Sequence, residues 1–153
     1  MGMDVYGKHP SCEDGKYYRA SIWSWRVIHA IVGLANQRVP IITNELYDSM
    51  SYNDGAGLED QTSCNELADC LEELIKDPYV LRKYEFVVGS DINGDILISF
   101  KVNKKFAIDS KNIFVKEGDK IPIDDLRSPY YISIGDINDF IKFLRSCGGF
   151  QVC

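Results

Sequence analysis

The sequence predicts an α+β fold: about three helices packed on a mostly antiparallel sheet, in one compact domain spanning residues 1–153. Three observations lead there. Apolar residues recur at helical spacing in three separated stretches. Runs rich in β-branched and aromatic residues, punctuated by turn residues, fill the interval between the second and third of these. The alternating βαβ rhythm of a dinucleotide fold is missing. With 153 residues, 45% of them hydrophobic and 26% charged, the chain is long enough to bury a core without metal or disulfide help. No repeat, low-complexity tract or composition shift marks a linker.

In chain order, Met3-Asp4-Val5-Tyr6 reads as a short strand, followed by a loop to residue 20 punctuated by Gly, Pro and Ser. A first helix is expected from about Ser21 to Asn36. It is apolar over most of its circumference (Ile22, Trp23, Trp25, Val27, Ile28, Ala30, Ile31, Val32, Leu34), which places it centrally. Its polar residues Arg26, His29 and Asn36, with Gly33, share one narrow stripe.

Ser63-x-x-Glu66 has the pattern of a capping box, in which two side chains satisfy each other's orphan backbone donors. Cys64, Leu67, Ala68, Leu71, Leu74 and Ile75 then face inward, and Pro78 stops a second helix placed near 63–76. A third helix opens at Asp136, turns Ile137, Phe140, Ile141 and Leu144 inward, and ends at Gly148. Its span is placed near 136–147.

Between them, Phe86-Val87-Val88 and Ile96-Leu97-Ile98-Ser99-Phe100 flank Asn93-Gly94, a two-residue hairpin signal. Ile113-Phe114-Val115 and Ile121-Pro122-Ile123 flank a second turn at Glu117-Gly118-Asp119. Tyr130 to Ile134 is a further strand, and Phe150-Gln151-Val152 a last short one. The sheet is thus drawn mainly from residues 84–134.

A net charge of −6 argues against free duplex nucleic acid and anionic membranes, both of which are bound mainly through Lys and Arg. No apolar run has the 18 or more residues of a membrane span. Five widely spaced cysteines (Cys12, Cys64, Cys70, Cys147, Cys153) and no signal peptide point to reduced thiols and a cytoplasmic setting.

Four blocks along the chain carry a resemblance. Gly2-Met3-Asp4-Val5-Tyr6-Gly7 comes first, then Tyr17-Tyr18-Arg19 leading into Trp23-Ser24-Trp25-Arg26. Tyr52-Asn53-Asp54-Gly55-Ala56-Gly57-Leu58 and Cys147-Gly148-Gly149-Phe150 complete the set. In this order they resemble a set of small bacterial and phage proteins with a DVYG-like head, a Trp-rich segment, a YNxGxGL loop and a GGF tail. The chain departs from that pattern at Ser24, where a third aromatic is expected, and after Arg26, where a Pro is expected. The resemblance implies no particular activity.

Candidate chemistry gathers in two places. The 52–58 loop feeds a helix start, where backbone N–H groups and the helix dipole favour anions. Its spacing fits neither G-x-x-x-x-G-K-[ST] nor G-x-G-x-x-G, Glu59 and Asp60 would repel a phosphate, and an Asx-type turn with glycines at positive φ explains it better. The Arg26/His29 pair projects from an otherwise apolar helix and calls for polar company. Arg26 suits a carboxylate or phosphate and His29 an acid or base, as the floor of a pocket, with solvent or a structural Asp as the bland alternative.

His9-x-x-Cys12 has ligand-like spacing but no second compact pair, so no metal is expected. Asp91-x-Asn93-Gly94-Asp95 fits a hairpin better than a calcium loop. No nucleophile elbow and no cofactor motif is present, and no cofactor is expected.

Two functions compete. The first is a cytosolic accessory protein acting through contact with another protein, with no catalytic motif evident. The alternative is a small ligand-binding protein or enzyme with a polar pocket between the first helix and the 52–58 loop. That pocket would be built from Asp4, Tyr6, Arg26, His29, Tyr52, Asn53, Asp54 and Gly55. It requires the loop beside the stripe, with Asp54 placed to pair with Arg26. A concave pocket at that meeting point favours the alternative; a flat aromatic patch favours the first.

Overall fold

The computed structural model describes residues 2–84, 86–90, 93–101 and 127–153. Its strands and helices, in chain order, are β1 (Gly2–Gly7), β2 (Tyr17–Ser21), α1 (Ile22–Arg38), α2 (Asn44–Ser49), α3 (Gln61–Ile75), β3 (Phe86–Ser90), β4 (Ile96–Lys101), β5 (Arg127–Ser133), α4 (Ile134–Leu144) and β6 (Phe150–Val152). The fold is α+β, with three substantial helices on antiparallel sheets. The expected strands at 113–115 and 121–123, the turn at 117–119 and Asp91 lie outside the described residues.

The strands divide between two three-stranded sheets, β2-β1-β6 and β3-β4-β5, where the pattern predicted a single sheet from 84–134. The chain ends make the difference. Asp4 pairs with Arg19 across β1 and β2, and Val5 with Val152 across β1 and β6. β2 lies in the stretch expected as loop, because only Ala20 of its five side chains is fully buried and no alternation announces it. In the other sheet the last β3–β4 pair is Ser90 with Ile96, so the connection exceeds two residues, with Gly94 at φ +86°.

Helix α1 is the shared element. Ser21 caps it by accepting from the Ser24 N–H, and it packs against α3 and strands of both sheets. Trp25, Val27, Ile28, Ile31, Val32, Leu34 and Ala35 are buried, and the Trp25 indole donates to the Met50 carbonyl at 2.8 Å. Trp23, by contrast, is 50% exposed. Helix α3 starts two residues before the expected box: Asp60 is its cap, accepting from Ser63 N–H at 2.7 Å, and Ser63 sits inside the first turn. The complete capping box belongs to α4, between Ser133 and Asp136, which moves that helix start back to Ile134 and its last turn to Leu144.

Among the described residues β3 is an edge strand, and that edge is blunted from outside. Arg82, in the 3-10 turn Pro78–Lys83, donates Nε and a terminal nitrogen to the Val88 carbonyl at 3.0 and 2.7 Å.

Candidate functional site

Asn36, His29 and Gly33 of the α1 stripe meet residues 41–47. Asn36 Oδ1 accepts from the N–H groups of Ile41 and Ile42 at 2.7 and 2.8 Å, and its amide donates to the Ile42 carbonyl at 2.8 Å. This clamp aims the chain into α2, whose cap Thr43 accepts from the Leu46 N–H. Tyr47 of α2 then lies flat on His29, ring centroids 4.0 Å apart and 12° from parallel. The exchange is reciprocal: His29 Nε2 donates to the Tyr47 carbonyl at 2.6 Å, and the Tyr47 hydroxyl donates to the His29 carbonyl at 2.9 Å. A side chain at position 33 would strike that hydroxyl, which is why a glycine stands there.

Burial holds the His29 pKa below its ordinary value, against a smaller opposing effect of the Tyr47 carbonyl and Asp48. The ring is therefore neutral near pH 7, and its Nε2 proton is committed to structure. Burial likewise raises the Tyr47 hydroxyl, with Asp48 adding to the effect, so it stays a donor.

The same face of α1 borders two hollows. One cavity of about 810 Å³ lies between α1, the 40–47 segment and the ends of β3 and β4. Ala30, Leu34, Pro40 and Ile42 line it, with rings from Tyr47, Tyr84, Phe86 and Phe100. A second hollow of about 430 Å³ continues along α1 past Trp25, Arg26 and His29 to Tyr52. The two share Ala30, Tyr47 and Phe100. Together they form a trough with α1 as its floor.

The residues singled out from the sequence fall into three groups. Arg26, His29 and Tyr52 border the smaller hollow. Asn53, Asp54 and Gly55 form an exposed turn, and Asp54 takes part in no hydrogen bond or ion pair among the described residues. The loop is held instead by the C-terminal strand: Gly55 N–H donates to the Val152 carbonyl, and Val152 N–H returns to the Ala56 carbonyl, both at 2.7 Å. Asp4 and Tyr6 are on β1, in register with Arg19 and Tyr17 of β2. There Asp4 accepts from the Tyr17 hydroxyl and lies 3.7 Å from Arg19 Nε, and the Tyr6 and Tyr17 rings are 5.2 Å apart. So the loop meets the stripe through Tyr52 alone, and the pairing of Asp54 with Arg26 does not form.

Tyr47, Tyr84, Phe86 and Phe100 wall the trough, and no sequence motif marks them as site residues. Thr43-Asn44-Glu45 just after Pro40 is a helix-start signal that points to α2. Nothing local connects it with Phe100. Among the described residues no three His, Cys, Asp or Glu side chains converge to hold a metal, and no helix is long and apolar enough to cross a membrane. Comparison with protein-family models, curated proteins and solved structures finds no match to this chain.

Proposed function

We propose that this protein acts through contact with another protein, without catalysis, and that the trough along α1 is its recognition element, holding an extended and largely apolar segment of that partner. The shape of the trough carries this reading. Its floor runs from Trp25 to Gln37, roughly 18 Å at the helical rise per residue. That length suits about five residues of extended chain. Aromatic walls supply contact area at small entropic cost, and the His29–Tyr47 exchange stiffens the floor before any partner arrives. A cytoplasmic location accompanies the reading, supported by five unpaired thiols. Kinship with bacterial and phage proteins of the DVYG type is supported by the four sequence blocks.

Ala30 offers the cleanest test, because it borders both hollows and is only half-buried. Ala30→Trp should fill the trough and leave the melting temperature close to wild type. Peptides selected by display on the native protein should bind that variant about tenfold more weakly or worse. Peptides that bind both proteins equally would remove the trough from consideration. A second reading, a small apolar ligand, is favoured by the volume of about 810 Å³, within the range of roughly 300–1,000 Å³ usual for such sites. Native mass spectrometry of protein drawn from its own cells separates the two, since a bound metabolite would appear there as added mass.

A further inference from the structure

We infer that Cys64 and Cys147 are a reversible dithiol–disulfide pair, a redox-modification site that staples α3 to the turn after α4. Their Sγ atoms are 3.6 Å apart, both side chains are fully buried, and 82 residues separate them in sequence. The scaffold around them is over-determined. Gln61, in the first turn of α3, accepts from Gly148 N–H at 2.7 Å and donates to the Leu144 carbonyl at 2.8 Å. The turn is also held from β1's side, where His9 N–H donates to the Cys147 carbonyl at 3.0 Å and Lys8 N–H to the Gly149 carbonyl at 2.8 Å. The two sulfurs are thereby kept facing each other, and the 3.6 Å between them must close to about 2 Å for a bond to form.

The two thiols are not equivalent. Contact with Cys147, and then burial, push the Cys64 thiol up. Contact with Cys64 pushes Cys147 down against the opposing effect of burial, and the Gly149 N–H lowers both thiols. Either sulfur can attack first, by the same step. With a small hydroperoxide as oxidant, the Cys147 thiolate attacks the outer peroxide oxygen, the O–O bond breaks, and the alcohol or water leaves with the thiol proton. The resulting sulfenic acid is attacked by Cys64, the S–S bond forms, and a second water leaves with the Cys64 proton. Two thiols give up two electrons and the peroxide takes them. The remaining cysteines lie elsewhere: Cys12 is exposed, and Cys70 and Cys153 are partly so.

A variant with Cys12, Cys70 and Cys153 all replaced by Ser isolates the pair. Treated while folded with hydrogen peroxide in small excess, it should lose the mass of two hydrogens and show no thiol titrating in denaturant. Digestion should yield a single cross-linked peptide joining Cys64 to Cys147. The melting temperature should rise, because the bond closes a long loop in the unfolded chain, and dithiothreitol should restore both mass and melting temperature. Two titrating thiols after treatment, or oxygen added in place of hydrogen lost, overturns the inference. A fall in melting temperature overturns it too, since the bond would then form only by breaking the joint.

Discussion

Where the chain ends meet, glycines let backbone segments lie directly on one another; along the trough, side chains hold two layers apart. At the terminal joint Phe150 N–H donates to the Leu58 carbonyl at 2.8 Å and Ser11 N–H to the Ser146 carbonyl at 2.9 Å. A Cβ on Gly57 would collide with the Phe150 carbonyl oxygen, and one on Gly148 with the His9 carbonyl. Along the trough His29, Asn36 and Tyr47 have their polar partners, yet Tyr47, Phe86 and Phe100 leave a hollow between them. The glycine-rich segments, which look like chemistry in the sequence, are the mortar of the fold. The apolar helix carries the open surface.

Gly57→Ala and Gly55→Ala should differ most in stability. The collision at position 57 involves backbone on both sides and cannot be relieved by a rotamer. Gly57→Ala should therefore cost roughly 3–5 kcal/mol or prevent folding. Gly55 has open space around it, and only its φ of +94° opposes a side chain. Gly55→Ala should cost about 1 kcal/mol. Denaturant melts of the two variants decide the matter. Equal costs would mean the loop is a pliable turn and the joint is not close-packed there.

Gln61 tests the joint from its side chain. Gln61→Ala removes the acceptor for Gly148 N–H and the donor to the Leu144 carbonyl together. Orphaning those two half-buried backbone groups should cost about 1–3 kcal/mol. A loss near zero in urea melts would show that water replaces Gln61 freely and that the joint is wetter than it looks.

The sequence made the helices legible because each carries its own periodicity and stop. Leu67, Leu71 and Leu74 are buried as their spacing requires, and Pro78 lies three residues past the end of α3. The partition into two sheets was not legible, since it depends on Val5 finding Val152 across the whole chain. The stripe of α1 was legible as a place needing polar partners. Its partners were not, because Tyr47 has no distinguishing pattern until the Asn36 clamp turns the chain back onto α1. Asp54 and Arg26 carry complementary charges, but the backbone ties of Gly55 and Ala56 to β6 take precedence and fix where the loop lies.

The smallest expected effect belongs to the trough, and it depends on pH. In the unfolded chain His29 has the ordinary histidine pKa of about 6.5. In the folded chain burial holds it lower, because a charged imidazole under Tyr47 gives up solvation that the Tyr47 carbonyl and Asp48 replace only in part. Below about pH 6.5 the unfolded chain therefore binds a proton that the folded chain refuses. The stabilising contribution is present above that pH and is lost as pH falls through the folded value. Asp60, whose carboxyl the Ser63 N–H holds below its ordinary value, titrates well below this window and does not confuse it. Urea melts at pH 7.5 and pH 5.5 should show wild type losing stability on acidification by less than the Gln61→Ala penalty. His29→Gln keeps a donor in reach of the Tyr47 carbonyl and removes the titration, so its two melts should differ less than those of wild type. If both proteins lose the same stability between the two pH values, His29 is not the group that senses the change. The neutral, stacked histidine would then have to be given up as the rigid floor of the trough.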